Sequence, residues 1–206
     1  MPTELEAVAA EAAGCTRCRL HQSRTQVVFG QGDPRADLMF VGEAPGFHED
    51  RQGIPFVGPS GQLLNRLLEG IGLRRQDVYI ANVVKSRPPQ NRDPQPDEIA
   101  ACRPWLDAQI RLVDPKVVVT LGNFAAKTLL ETTTGITRLR GQTYPFQGRV
   151  LLPTFHPAAA LHAQGRRTAG PSPLEAMEGD FRVLAELLAA QAPVEQDRPT
   201  EQLGLF

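Results

Sequence analysis

Four short apolar runs recur along the chain: 38–41 (LMFV), 78–84 (VYIANVV), 116–121 (KVVVTL) and 150–155 (VLLPTF). Each is short for a helix and too uniformly apolar for a strand with one wet face, so each reads as a strand buried on both sides. Between them the period changes. Leu63, Leu64, Leu67, Leu68 and Ile71 recur at helical spacing, and Pro59-Ser60-Gly61 supplies a start signal. Further helices are predicted over 3–13, ending at Gly14, over 97–113, from Gly122-Asn123 to Leu130, and over 174–190. Residues 25–29 (TQVVF) read as an edge strand followed by a Gly-Gln-Gly-Asp-Pro turn, and 135–148, with Arg138 and Arg140, as a hairpin-like excursion. Strands alternating with helices predict an α/β fold: one three-layer α/β/α domain over 1–190 around a mainly parallel, four-stranded sheet. Residues 191–206 read as a flexible tail.

The first strand and the helix after it are separated by about twenty residues dense in Gly, Pro and acid, where such loops usually take about 2–6. The loop carries Glu43, Glu49, Asp50 and one aromatic, Phe56. Gly42-Glu43-Ala44-Pro45-Gly46 has neither the Lys-Ser/Thr ending of a P-loop nor the spacing of a dinucleotide fingerprint. It reads either as a solvated acidic loop or as a ligand site, since open α/β sheets bind ligands outside the carboxyl ends of their strands.

Composition narrows the partners. With 22 basic and 23 acidic residues in 206, the chain as a whole is no basic nucleic-acid binder, so such contacts must come from a local patch. The basic, proline-stiffened segment from Lys85 through Ser86, Arg87 and Arg92 to Pro94 is the candidate. No stretch approaches the roughly 20 apolar residues of a membrane span. The acidic, helix-prone start is unlike a secretory signal, and a cytoplasmic location is expected. Cys15-Thr16-Arg17-Cys18 suggests metal, a cluster or redox chemistry, with Cys102 far off in sequence.

Polar residues break the apolar pattern at the strand ends. Asn82 closes the second run and His156 follows the fourth. Asn82 is either a satisfied structural amide or a ligand reader. Parallel strands bring the Glu43 loop, Asn82 and His156 to one edge of the sheet.

These residues carry a resemblance. Gly42-Glu43-Ala44-Pro45-Gly46, Gly53-Ile54-Pro55-Phe56-Val57-Gly58, Asn82, Lys85-x-Arg87-Pro88-Pro89-x-Asn91-Arg92 and His156-Pro157 resemble the family 4 uracil-DNA glycosylases, iron–sulfur enzymes of prokaryotes, from about Cys15 to residue 190. The resemblance implies flipping of uracil out of DNA and hydrolysis of its N-glycosidic bond. Phe56 would stack on the base, Asn82 would read its Watson–Crick edge, and His156 would donate to O2. Backbone groups around Glu43 and Ala44 would hold the other side. Ala44 stands where other branches carry Asp or Asn. Glu49 matches the family's acidic position, and Glu43 is the second candidate. Lys85, Arg87, Arg92 and Arg166 would contact DNA, with Leu161 as the wedge into the duplex.

The family's cluster ligands match Cys15, Cys18 and Cys102, but the third ligand position holds Ser86. The readings are an iron–sulfur cluster, of the [4Fe-4S] kind, completed by Ser86 or water, or a damaged or absent cluster. At the tail, Gln202-Leu203-Gly204-Leu205-Phe206 resembles peptides that dock on bacterial sliding clamps. A monomer suffices for all of this. The alternative is a cluster-deficient, clamp-tethered DNA-binding protein without enzymatic activity. The histidine-containing K-R-R-I-H insertion of the branch that bonds covalently to the abasic sugar does not occur.

Overall fold

A strand sends successive side chains to opposite faces, so an uninterrupted apolar run needs cover on both. The computed structural model describes residues 3–163 and 170–191 and shows that cover. Its sheet has six strands: β1 (Gln31–Gly32), β2 (Leu38–Gly42), β3 (Tyr79–Asn82), β4 (Val117–Leu121), β5 (Tyr144–Phe146) and β6 (Arg149–Thr154). Their order is β1-β3-β2-β4-β6-β5. The predicted four are the parallel centre, β3-β2-β4-β6. The expectation of a four-stranded sheet is corrected by β1 and β5, each pairing antiparallel at an edge.

Met39, Val41 and Val118 face one layer, where they meet Leu106 and Ile110 of α4 (Pro96–Val113) and Ala125 of α5 (Asn123–Leu130). Leu5 of α1 (Glu4–Ala13) packs at the margin of this cluster. Leu38, Phe40 and Val119 face the other layer, against Leu64 and Leu68 of α3 (Pro59–Gly70) and Met177 and Phe181 of α8 (Pro173–Gln191). Phe40 and Phe181 stack with ring centroids 5.8 Å apart.

Three local readings change. Residues 25–29 form no strand. Val28 is buried there, and its N–H donates to the Lys85 carbonyl at 2.8 Å. The edge strand is instead β1, in the supposed turn. Gly32 has φ +135°, and a Cβ on it would stand 1.9 Å from the Val78 carbonyl oxygen, so only glycine allows this pairing. The excursion before β6 contains the short helix α6 (Ile136–Leu139) and then β5. β5 turns back to β6 through Gln147 and Gly148, both at positive φ, as a tight hairpin demands. The long acidic loop is not all loop, since it holds α2 (Phe47–Gln52). A further short helix, α7 (Pro157–His162), follows β6. Among the described residues no helix is long and apolar enough to cross a membrane.

One buried ionic node ties the last helix to the sheet. Asp180 of α8 accepts from Thr154 Oγ1 at the end of β6 (2.5 Å) and from Arg140 Nη2 and Nε (2.5 and 3.1 Å). Burial raises the pKa of Asp180 above the ordinary carboxylate value, against the pull of both partners. Asp180→Ala leaves the partly exposed Arg140 guanidinium and the buried Thr154 hydroxyl without their acceptor and is expected to cost about 1.5–3 kcal/mol in denaturant unfolding. A loss below about 1 kcal/mol would show that the node is solvated rather than structural.

Candidate functional site

From β2 the chain crosses to β3 on one side and then, through β4 and β6, to the other, so the strand order reverses beside β2. Helix connections leave in opposite directions at such a point, and a crevice opens outside the carboxyl ends of the strands. A cavity of about 590 Å³ lies there, lined by Glu43, Glu49, Phe56, Asn82 and His156 among others. The polar departures from the apolar pattern thus share one cavity.

Phe56 is held in an uncommon conformation. Its φ is +52°, a left-handed region costly for a bulky residue. The Arg75 guanidinium fixes the turn by donating to the carbonyls of Phe56 (3.0 Å) and Pro55. Gly61 lets the first turn of α3 come in, since a Cβ there would stand 1.7 Å from the Phe56 carbonyl oxygen. Gly42 does the same at the end of β2, where a Cβ would lie 2.4 Å from Asn82 Oδ1 and 2.5 Å from Phe56 Cζ. Asn82 itself is 1% exposed, and its Oδ1 has no partner in the protein. An unsatisfied buried acceptor costs about 1–3 kcal/mol, so a cavity-lining one points to a ligand that satisfies it.

His156 caps α7. Its Nδ1 accepts the Ala158 N–H at 3.1 Å, so the neutral ring carries its proton on Nε2. Burial lowers its pKa to about 4 despite the opposing pull of Glu49, so the ring is neutral at pH 7. The Phe56 and His156 rings lie 5.7 Å apart. Gly122, at φ +92°, makes room behind the histidine, since a Cβ there would be 2.9 Å from His156 Cβ. Glu49 is fixed by three backbone N–H groups: Val57 and Gly58 donate to Oε1 (3.0 and 2.9 Å) and Gly46 to Oε2 (3.2 Å). Ala44 lines the same wall. Burial, reinforced by the nearby Asp93 charge, raises the Glu43 pKa to about 7.

The basic segment divides. Lys85 is 2% exposed and cannot reach a phosphate, which corrects its expected role at DNA. Its ammonium donates to the Asn82 carbonyl (2.6 Å) and to Gln109 Oε1, and burial lowers its pKa to about 7. Gln109 escaped the sequence reading, although its place on the apolar face of α4, beside Trp105, Leu106 and Ile110, marked it as buried. Arg92 is engaged by buried Glu98 through two hydrogen bonds (2.9 and 2.6 Å). Arg87 stays partly exposed near the cavity mouth, with Nε donating to Asn91 Oδ1. Leu161 packs, partly buried, against the α3–α8 cluster rather than standing free as a wedge. Arg166 and residues 202–206 lie outside the described residues.

On the other side of Lys85, the sulfur-bearing side chains gather. Cys102 is buried, and its Sγ accepts the Lys85 backbone N–H at 3.4 Å. Burial raises the pKa of its thiol, and Cys18 and Cys15 are near enough to add to that rise. Ser86, also buried, accepts from Arg24 Nη1 at 3.2 Å. Among the described residues no three His, Cys, Asp or Glu side chains gather around a point for a single metal ion. A cluster with four separate iron corners spreads its ligands more widely, and three thiols beside a hydroxyl suit it chemically.

The description of a uracil DNA glycosylase superfamily fits residues 29–181, which span all six strands and the cavity wall. The chain belongs to the uracil-DNA glycosylase superfamily. Its superfamily relatives include three proteins named type-4 uracil-DNA glycosylase. That of Sulfurisphaera tokodaii is 45% identical over 192 residues, covering 89% of this chain and 84% of the relative. That of Archaeoglobus fulgidus is 42% identical over 92% of this chain and 96% of its own. That of Thermotoga maritima is 46% identical over 76% and 83%.

In this superfamily member the acid at the cavity wall gives a direct check. The Glu43 carboxyl, followed by carbon-13 NMR, is expected to titrate near pH 7, and Asp93→Asn to lower that midpoint. Titration in the ordinary range near 4–5, unmoved by Asp93→Asn, would contradict the described environment.

Proposed function

We propose that this protein is a DNA-repair hydrolase that flips uracil out of DNA and cleaves its N-glycosidic bond, leaving an abasic site. The observation that carries the reading is the unpartnered Asn82 Oδ1 at the wall of a cavity also lined by Phe56 and His156. A flipped base would stack on Phe56. The Asn82 amide would accept from uracil N3–H and donate to O4, and cytosine presents the reverse pattern. His156 Nε2–H would donate to O2 as negative charge develops on the departing base, and the hydrogen bond at Nδ1 holds it in the donating tautomer. Glu49 would position the attacking water and accept its proton. The water oxygen bonds to C1′, and the electrons of the broken C1′–N1 bond leave on uracil. Three N–H donors leave Glu49 little freedom to move while it does so. Its charge also stabilises the cationic sugar.

The relatives' type-4 name and the sulfur cluster of side chains support an iron–sulfur group of the [4Fe-4S] kind, held by Cys15, Cys18 and Cys102, with Ser86 at the fourth corner. When bound, it would supply a structural cross-link between the N-terminal segment, α4 and the end of β3. Hydrolysis does not pass through it. We also assign Arg87 to DNA backbone contact, place the protein in the prokaryotic cytoplasm as a monomer, and read the sequence 202–206 as a sliding-clamp-binding peptide.

The test is a single-stranded oligonucleotide with one uracil, followed by alkaline cleavage of abasic sites. The parent is expected to cut. Asn82→Ala and His156→Ala are each expected to lose on the order of 10²–10³ in kcat, the usual loss for a donor aimed at developing charge. An uncut strand, or two variants as fast as the parent, would overturn the reading. Separately, anaerobically purified protein is expected to contain iron and acid-labile sulfide in equal amounts, with Ser86→Cys retaining more of both in air. Finding neither element would remove the cluster assignment and leave the hydrolytic one standing.

A further inference from the structure

Most large apolar side chains among the described residues are covered, and Phe47 is an exception. It is 45% exposed, and among the described residues only Leu174 joins it as a large exposed hydrophobic. Phe47 belongs to neither core cluster, so the fold gains little from it. It opens α2 and stands in the wall of the cavity, with the His48 ring edge-on at 5.4 Å. Two guanidiniums flank it. The Arg51 Cζ lies 5.7 Å and the Arg87 Cζ 5.2 Å from the ring centroid. Both stand farther off than Arg17 does over Trp105, at 4.4 Å, where a cation is seated on a ring. Among the described residues neither Arg51 nor Arg87 pairs with a carboxylate, whereas Arg19, Arg92, Arg103 and Arg140 all do. An exposed aromatic between two uncompensated cations, at the rim of a cavity, is the arrangement by which proteins hold single-stranded nucleic acid: a base on the ring and phosphates on the cations. Of the nearby acids, Asp50 is buried, accepting from the Thr25 N–H, and Glu49 is committed to three backbone N–H groups, while Glu43 and Asp93 line the cavity itself.

We propose that Phe47 is a second stacking platform, taking the base next to the flipped uracil, with Arg51 and Arg87 on the flanking phosphates. This rests on the uracil-excision reading, and it deepens that reading by naming the strand form the site prefers. A neighbouring base can leave its own stack for Phe47 at small cost in a single strand and at greater cost in a duplex. The platform therefore favours single-stranded or locally opened DNA.

The experiment measures uracil excision from single strands in which the nucleotide 5′ or 3′ of the uracil is either an ordinary base or a baseless tetrahydrofuran analogue. For the parent, removing the neighbouring base on one side is expected to raise KM about tenfold, the order of one lost stack. Phe47→Ala is expected to raise KM similarly on the intact strand, with most of the loss in KM rather than kcat, and to be indifferent to the missing base. Phe47→Leu should behave like Phe47→Ala, and Phe47→Tyr like the parent. A KM unchanged in Phe47→Ala, or a missing-base penalty that persists in it, would overturn the proposal. Phe47→Trp reports without catalysis. Its added emission is expected to be quenched by uracil-free single-stranded DNA, while the parent's own Trp105, 5% exposed, is not. Quenching in the absence of any excision would sink the hydrolytic reading and keep the platform. Excision without quenching, and with no effect of Phe47→Ala, would do the reverse.

Discussion

The cavity depends on one carboxylate holding three backbone N–H groups. Glu49 reaches back to Gly46 and across to Val57 and Gly58, so both ends of the segment that carries Phe56 are tied to a single side chain. Charge-assisted hydrogen bonds of this kind are stronger than neutral ones, and three together fix the loop to the start of α3. Arg75 completes the clamp from outside by binding the carbonyls of Pro55 and Phe56. The strained φ of Phe56 persists because both sides of its peptide are held.

Much of this was legible in the residues. The four central strands appear as apolar runs because two helical layers cover both faces, and that burial leaves a plain signal. The meeting of the Glu43 loop, Asn82 and His156 follows from parallel topology alone. The edge strands β1 and β5 were less legible: two and three residues long, they are set by pairing partners and glycine conformations rather than by hydrophobic pattern. Helix α2 was hidden for a related reason. Its residues FHEDRQ bury only Asp50, so no apolar stripe betrays a helix.

Lys85 shows where composition misleads. Read along the chain, it belongs to a cationic segment. In space it is a buried ammonium whose donors go to the Asn82 carbonyl and to Gln109, while its own N–H goes to Cys102. The polar partner that makes this tolerable lies 24 positions away on α4, beyond the reach of any local pattern. One residue thereby joins the cavity side of the sheet to the sulfur side. The two regions that look independent in sequence share a single hydrogen-bonded support.

Gly42 has a consequence for redesign. Its missing side chain is the space in which Asn82 and Phe56 stand, within 2.4 and 2.5 Å of where a Cβ would be. The volume of the cavity is therefore set from beneath, by a residue with no chemistry of its own. A library that varies only Asn82 and Phe56 explores shapes bounded by that floor. Larger replacements at either position must move outward, into the cavity, so keeping its volume while enlarging either side chain requires moving the backbone of β2.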